Sequence, residues 1–429
     1  MTHIERPRFL DLFCGCGGLS LGFLDAGFRG ILAVDNNAKA VDCYNRNLQG
    51  VVDTGAVVQD LSELNSHAKV LQFLQQHGIE PGMCDVLIGG PPCQSFSVVG
   101  RNKTRALAAG GGDIATYWDQ RNRERASLFE IYALFVEVLA PQWFVFENVP
   151  SIKSHFVYPT LETRFQHLED SLGRPLVYGV SAATYLASDY GLAQNRRRFI
   201  MIGHNTACGP ERWSDPPNVK ATNVADALDD LPVIEAGSRI RVLDYATFPQ
   251  TAYQERMCQV PEWRPQFLPL VHDHICRWHN ADDIALFARM RPGARFADAD
   301  VQEALVEINP HHKLRKYAVD KFKDKLHRLD PERPSWTVTA HLSKDCYKFI
   351  HHRQPRTISV REAARLQSFP DWFQFDEVSM IEGFRLIGNA VPPLLAETIA
   401  RHLLHLGIRY PSVEGNSVTS IRGGESAFR

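Results

Sequence analysis

Residues 9–23 read FLDLFCGCGGLSLGF, and the fold turns on how they are parsed. RFLDLF (8–13) reads as a short strand running into glycines, and LSLGFLDAG (19–27) as a helix closed by Gly27. Glycines in such a turn let a ligand approach the backbone, and the helix start that follows offers free N–H donors. The dinucleotide fingerprint G-x-G-x-x-G is not completed: Gly15 and Gly17 fit, but Ser20 stands where the third glycine belongs. Outward from this turn the pattern repeats. GILAVD (30–35), VVQD (57–60), CDVLIGG (84–90), WFVFEN (143–148) and RFIMIG (198–203) read as strands. AKAVDCYNRNL (38–48) and ASLFEIYALFVEVLA (126–140) between them carry apolar residues at helical spacing. This alternation predicts an α/β fold with a doubly wound, Rossmann-like, mainly parallel sheet.

The character changes near residue 204. Residues 205–340 are rich in Pro, Trp, His and Arg with few clean periods, which predicts a second, smaller, irregular domain. Alternation resumes near 357, where Ser359-x-x-Glu362 forms a capping box and Pro392 starts a helix ending at Gly407. The expected division is therefore 1–204 completed by 357–410, an insert at 205–340, a connection at 341–356, and a disordered tail at 411–429.

Bulk composition narrows the class. The 429 residues carry 47 Lys+Arg against 49 Asp+Glu, a formal charge of −2, with 44% apolar and 22% charged residues. These values exclude a mostly disordered chain, a collagen-like chain and a small disulfide scaffold. No run approaches the ~18 apolar residues a membrane span needs, and residues 1–8 are too polar for a secretory signal. Nine scattered cysteines fit reduced thiols in a cytoplasmic compartment better than a disulfide framework. Two stretches are locally basic: 101–125 holds six Lys/Arg against three acids, and 311–328 holds seven against two.

Several residues carry chemistry. Asp35 and Asp60 each end a strand, and an acid after the second strand suits a ribose diol. In GGPPCQSFSVVGR (89–101), Cys93 follows a strand at its C-terminal end, with Pro91 and Pro92 stiffening the approach. A thiol in that position is a poor core filler and a candidate nucleophile. In FVFENVP (144–150), Glu147 and Asn148 end the next strand, and a carboxyl after four apolar or aromatic residues is expected to be desolvated, with a raised pKa. In QNRRRFIMIG (194–203), Arg196 and Arg198 would share one face of an extended chain and could hold a base oxygen, a phosphate or Glu147 itself. RLIGNAVPPLLA (385–396) places Asn389 as a turn and N-cap before the Pro-Pro helix start. His272, His274, Cys276 and His279 do not have the spacing of a closed zinc site, and we assign them to scaffold or phosphate contact, with no metal.

Taken in order, the glycine loop, Pro-Cys-Gln, Glu-Asn-Val, Gln-x-Arg-x-Arg, REAARLQSFPD (361–371) and Gly-Asn-Ala-Val-Pro (388–392) resemble the DNA cytosine-5 methyltransferases over about residues 8–408. The resemblance implies S-adenosylmethionine as cofactor. Phe13, Cys14, Gly15, Cys16, Gly17, Gly18 and Leu19 would line it. Asp35, with Asn36, would take the ribose, Asp60, with Leu61, the adenine, and Asn389 with Val391 the methionine end. It further implies that Cys93 attacks cytosine carbon 6, that Glu147 bonds N3 and the exocyclic amine, and that Arg198 holds the base O2. Arg196 and Gln194 would support the loop and the DNA backbone, with Pro91, Pro92, Gln94, Ser97 and Asn148 near the substrate. Loop 94–125 would close over double-stranded DNA, and 205–340 would be the target-recognition region.

The chemistry agrees with that implication. Cytosine carbon 5 is a poor nucleophile until a thiolate adds at carbon 6, and the base must leave the duplex to be reached. Two other readings compete. A tRNA cytosine methylase on the same scaffold is disfavoured by the long irregular insert, and a catalytically silent DNA-binding protein by the intact Cys93, Glu147 and arginines. The strand starting so near Met1 points to a stand-alone microbial enzyme, solitary or paired with a separately acting restriction endonuclease. It is expected to be cytoplasmic and monomeric.

Overall fold

A computed structural model describes residues 6–92, 128–155, 158–322, 325–375 and 378–408. Cys93, Gln94, Ser97, loop 94–125 and the tail 411–429 lie outside the described residues.

The quoted stretch forms strand β1 (Arg8–Leu12) and, after the glycine turn, helix α1 (Gly18–Asp25). Six further strands complete one sheet: β2 (Arg29–Asp35), β3 (Ala56–Val58), β4 (Val86–Gly89), β5 (Trp143–Asn148), β6 (Tyr178–Leu186) and β7 (Arg197–Asn205). Their order is β3-β2-β1-β4-β5-β7-β6. Pairings are parallel from β3 through β5, and β7 is antiparallel to both β5 and β6. The chain winds outward from β1 through β2 and β3, then returns to the other side of β1 with β4. That reversal opens a crevice at the C-terminal ends of β1 and β4, where open α/β sheets bind ligands.

The central strands are apolar without alternation because both faces are covered. Leu10, Leu12, Leu32, Val34, Leu87, Phe144 and Phe146 are buried in one core with Tyr132, Phe135 and Leu139 of the helix at 128–139. The Tyr132 hydroxyl reaches the carbonyls of Leu87 (3.0 Å) and Val145 (2.9 Å), which fixes that helix on β4 and β5. Sequence patterning did not reveal β6. Its segment YGVSAATYL is small-residued and half exposed, although all nine residues pair with β7. An edge strand covered on one side need not carry a strong apolar signal.

The chain divides into two compact units, though not at the expected boundaries. One comprises Met1–Leu186, Arg197–Pro217 and Leu395–Arg429, and the other Ala187–Arg196 and Asn218–Leu394. Helices Val360–Leu366 and Met380–Asn389, expected to complete the sheet domain, belong to the second unit. Buried charge explains why. Arg365 pairs with Asp230 (2.8 Å) and Asp371 (2.6 Å), and the Arg361 guanidinium donates to the carbonyls of His272, Pro370 and Phe373. The second unit is also more ordered than its composition suggested. Helices Ala281–Arg289 and Ala299–Ile308 share a small core of Leu286, Phe287, Phe296, Leu305 and Leu326.

Candidate active site

The turn after β1 holds three alternate residues in the left-handed region: Phe13 (φ 61°), Gly15 (φ 56°) and Gly17 (φ 96°). At Gly17 a Cβ would strike Leu48 Cδ1 and Tyr44 Cδ2, both at 2.8 Å, so only glycine lets the turn lie this close to α2 (Ala38–Leu48). At Gly15 a Cβ would meet nothing within 4 Å, so that side of the turn faces open space. Asp35, at the end of β2, ties the turn down. Its Oδ2 accepts from the Gly15 N–H (2.9 Å) and its Oδ1 from the Asn37 N–H (2.8 Å). Burial raises the pKa of Asp35 above the ordinary carboxylate value, against the pull of the N–H groups of Asn37, Gly15 and Asn36. The carboxylate stays partly exposed and keeps acceptor capacity beyond those bonds. Asp60 is exposed and caps the 3-10 turn Leu61–Glu63, accepting from the Ser62 N–H (2.9 Å) and hydroxyl (2.7 Å).

This turn fits an adenosine-bearing donor. It offers backbone on an open side, a half-exposed aromatic at Phe13, and carboxylates at the ends of the next two strands. Cys14 and Cys16 contribute backbone rather than chemistry. Burial pushes the Cys14 thiol well above its ordinary range and the Cys16 thiol up to about 12. Gly18 and Leu19 are buried in the first turn of α1, Leu61 is buried and Asn36 is exposed.

The second cluster lies at the C-terminal ends of β4 and β5. Gly89 pairs with Phe146, which brings Gly90 level with Glu147. A Cβ at Gly90 would sit 2.8 Å from Glu147 Oε2, so the carboxylate rests against the bare backbone. The Asn148 amide donates to the Pro91 carbonyl (3.2 Å), and Asn148 is buried. Pro91 is buried and Pro92 exposed. Arg198, near the start of β7, places its Nε 2.7 Å from Glu147 Oε1. The carboxyl expected to be desolvated is half of an ion pair, and of the three partners considered for Arg198 from sequence, the structure supplies Glu147.

Arg196 departs from expectation. It does not share a face with Arg198, because the Gln194–Asn195 strand and β7 are separate elements: Gln194–Asn195 pairs in parallel with Ser335–Trp336. Arg196 and Gln194 are both fully buried. The Arg196 guanidinium donates to the carbonyls of Val338, Gly388 and Ala390. A contact with the DNA backbone is incompatible with that burial. Asn389 also differs from expectation. It is the exposed last residue of helix Met380–Asn389, not the cap of the next helix, Pro393–His405. Val391 is buried beside it.

Sequence reasoning missed Asp11. This carboxyl is fully buried in β1. Its Oδ2 accepts from the Ser20 hydroxyl (2.6 Å), which in turn accepts from Tyr44 (2.9 Å). Oδ1 has no partner among the described residues. Burial pushes its pKa up to about 8. The signal was an acid in the middle of an otherwise apolar central strand, inside the quoted stretch. The histidines near 275 go to scaffolding. His274 bonds Ser359 and the Pro232 carbonyl, His279 bonds Thr357, and Cys276 bonds the Glu235 carbonyl. Among the described residues no three His, Cys, Asp or Glu side chains are grouped to hold a metal.

A ligand-ready turn after the first strand and an ion-paired carboxyl beside the last residues before Cys93 define a group-transfer enzyme on a nucleotide-type sheet. Residues 7–405 match the model of the C-5 cytosine-specific DNA methylases, and the chain belongs to that family. It is a DNA cytosine-5 methyltransferase whose methyl donor is S-adenosylmethionine. The type II methyltransferase M.AgeI of Thalassovita gelatinovora is 30% identical, over 92% of this chain and 98% of that one. M1.HphI of Haemophilus parahaemolyticus is 31% identical, over 95% and 89%. A solved chain described provisionally as a DNA modification methyltransferase encoded within an E. coli prophage superposes with a TM-score of 0.68 at 27% identity, covering 93% of this chain and 99% of that one. No helix among the described residues is long and apolar enough to cross a membrane.

Proposed function

We propose that the chain methylates cytosine within one specific duplex sequence through a covalent adduct between Cys93 and carbon 6 of an everted base. In this reading it serves as the modification enzyme of a type II restriction–modification pair or as a solitary counterpart. The observation that carries the chemistry is the meeting of Gly90, Pro91, Glu147, Asn148 and Arg198 at the ends of β4 and β5. The segment leading to Cys93 is held there, with Gly90 against the carboxylate three residues before the thiol and Pro91 tied to Asn148 two residues before it.

In this assignment the Cys93 thiolate forms a bond to carbon 6. Glu147, oriented by Arg198, bonds N3 and the exocyclic amine, so the ring can take a proton at N3 as its π electrons shift toward carbon 5. S-adenosylmethionine, when bound, supplies an electrophilic methyl on a sulfonium sulfur. After transfer, loss of the carbon 5 proton to a base expels the thiolate from carbon 6, and return of the N3 proton to the Glu147 carboxylate, which supplied it, restores the neutral aromatic ring. Arg198 has a second use in holding the base O2. Phe13, the backbone from Cys14 to Leu19, Asp35 with Asn36, and Asp60 with Leu61 hold the donor, and the 388–391 turn, with Asn389 and Val391, contacts it. Gln94 and Ser97 remain substrate-side assignments carried by the family motif.

The unit containing Asn218–Leu394 is assigned to target recognition, and the type II names of the relatives support a modification role. A separately acting endonuclease partner, a monomeric state and a microbial cytoplasmic location complete the reading. Bisulfite sequencing of DNA from cells expressing the chain would give the target. A duplex with that target carrying 5-fluorocytosine should then form a denaturation-resistant complex in the presence of S-adenosylmethionine, because fluorine cannot leave as a proton does. Cys93→Ser should abolish the complex. A complex surviving in that variant would remove Cys93 as the nucleophile.

A further inference from the structure

We propose that Arg196 is a positioning residue for the methyl donor: from a fully buried site it grips the carbonyls on either side of Asn389 and fixes where that side chain is presented. The inference rests on the reading above that the 388–391 turn contacts the donor.

Helix Met380–Asn389 ends with carbonyls that have no partner in the next turn, as every helix does. Here the caps come from far away in the chain. One Arg196 Nη2 donates to Gly388 O and to Ala390 O, each at 2.9 Å, while Nη1 donates to Val338 O at 2.6 Å. A guanidinium is suited to this because its donors are fixed in one plane, and its charge complements the negative end of the helix dipole. Gln367 Nε2 adds a second bond to Ala390 O at 2.7 Å. Gln194 locks the arrangement: its amide donates to Leu366 O (2.9 Å) and Gln367 Oε1 (2.6 Å), and its oxygen accepts from the Val338 N–H (2.7 Å). Gly388 packs on the backbone just after Val338, where a Cβ would come within 2.2 Å of the Ala340 nitrogen and the Thr339 carbonyl carbon.

The residue between the two gripped carbonyls is treated differently. Asn389 is exposed while Gly388 and Val391 are buried. Its backbone has little freedom and its side chain projects outward. A binding group on so tightly held a turn loses little entropy when it engages a ligand. The positively charged residue beneath is therefore not spare basic surface for DNA, although its motif is arginine-rich and Arg198 stands two positions later.

The test is direct binding of S-adenosylmethionine and S-adenosylhomocysteine to the full chain by calorimetry, without DNA, alongside duplex binding at several salt concentrations. Arg196→Lys keeps a charge but cannot bridge three carbonyls. It should weaken both donor-type ligands at least tenfold, and leave duplex affinity within twofold and its salt slope unchanged. Asn389→Ala should weaken the same ligands, and the double variant should be no weaker than Asn389→Ala alone. An unchanged donor affinity in Arg196→Lys, with Asn389→Ala weakened, overturns the inference while sparing the turn's role. So does a duplex affinity that falls with a salt slope smaller by about one, the signature of a lost phosphate contact. Asn389→Ala without effect removes the turn's role and the inference with it. Should Arg196→Lys not fold, Gln367→Leu removes the other donor to Ala390 O. It must then shift donor affinity in the same direction at least threefold, or the inference fails.

Discussion

Glu147 and Arg198 have side chains only 12% and 11% exposed, so each is costly to leave alone. A substitution that keeps shape and loses charge separates chemistry from folding. Glu147→Gln can still accept from Arg198, and we expect single-turnover methylation to slow by about 10²- to 10⁴-fold with donor affinity within twofold. A loss under threefold would take Glu147 out of the reaction. Asp11 gives a different kind of prediction. Its folded pKa is raised from 3.8 to about 8, so the protonated acid is favoured in the folded state. Its contribution to stability is complete below about pH 4 and is lost progressively as pH rises toward 8, at about 1.4 kcal/mol per unit. Asp11→Asn mimics the neutral acid and cannot titrate. Urea midpoints between pH 5 and 8.5 should fall more steeply in the parent chain than in the variant, and parallel curves would contradict the assignment.

At the scale of elements, helix Val360–Leu366 shows how much a local signal can carry. The Ser359-x-x-Glu362 box is formed as read, with Ser359 accepting from the Glu362 N–H and Glu362 from the Ser359 N–H. Nothing in the local pattern signals that the same carboxylate also binds Arg356 through both oxygens, at 2.8 and 2.6 Å. Burial alone would raise the Glu362 pKa, but Arg356 and His351 hold it well below the ordinary range. Its stabilising effect is therefore present above about pH 4.5 and lost only in strong acid. Glu362→Gln should cost about 3–5 kcal/mol in urea denaturation, since Arg356 is left buried without its counter-charge. A cost below 1 kcal/mol would mean the pair is dispensable. The contrast runs through the whole chain. Strands β1, β2, β4 and β5 and the glycine turn were legible because apolar runs and turn residues are local facts. So were Asp35, Glu147 and Arg198, each marked by its place at a strand terminus. Strand β6, the burial of Arg196 and the partner of Glu362 were not legible, because each depends on residues far away in sequence. Alternation along Gln194-Asn195-Arg196-Arg197-Arg198 suggested one face, yet the chain changes element at Arg197 and sends the two guanidiniums to different partners.

For the whole molecule, the division into units has a consequence for dissection. The unit containing Asn218–Leu394 also takes Ala187–Arg196, which brings Gln194 and Arg196 into its interior. A fragment of residues 218–394 would expose the carbonyls and amides those two side chains satisfy. We expect a fragment that joins 187–196 through a short linker to 218–394 to give a cooperative thermal transition, and 218–394 alone to give none. Equal behaviour of the two would show that the short segment is dispensable to that unit. Phe13 leads in another direction. A bulky aromatic held at φ 61° burdens the fold by roughly 1–3 kcal/mol, a load that glycine at the same position would not carry. Phe13 also packs against the sheet core, so glycine there would trade the strain for lost contacts. Replacing that one aromatic should therefore leave heat tolerance no better, and under the proposed assignment it would loosen the hold on the cofactor as well.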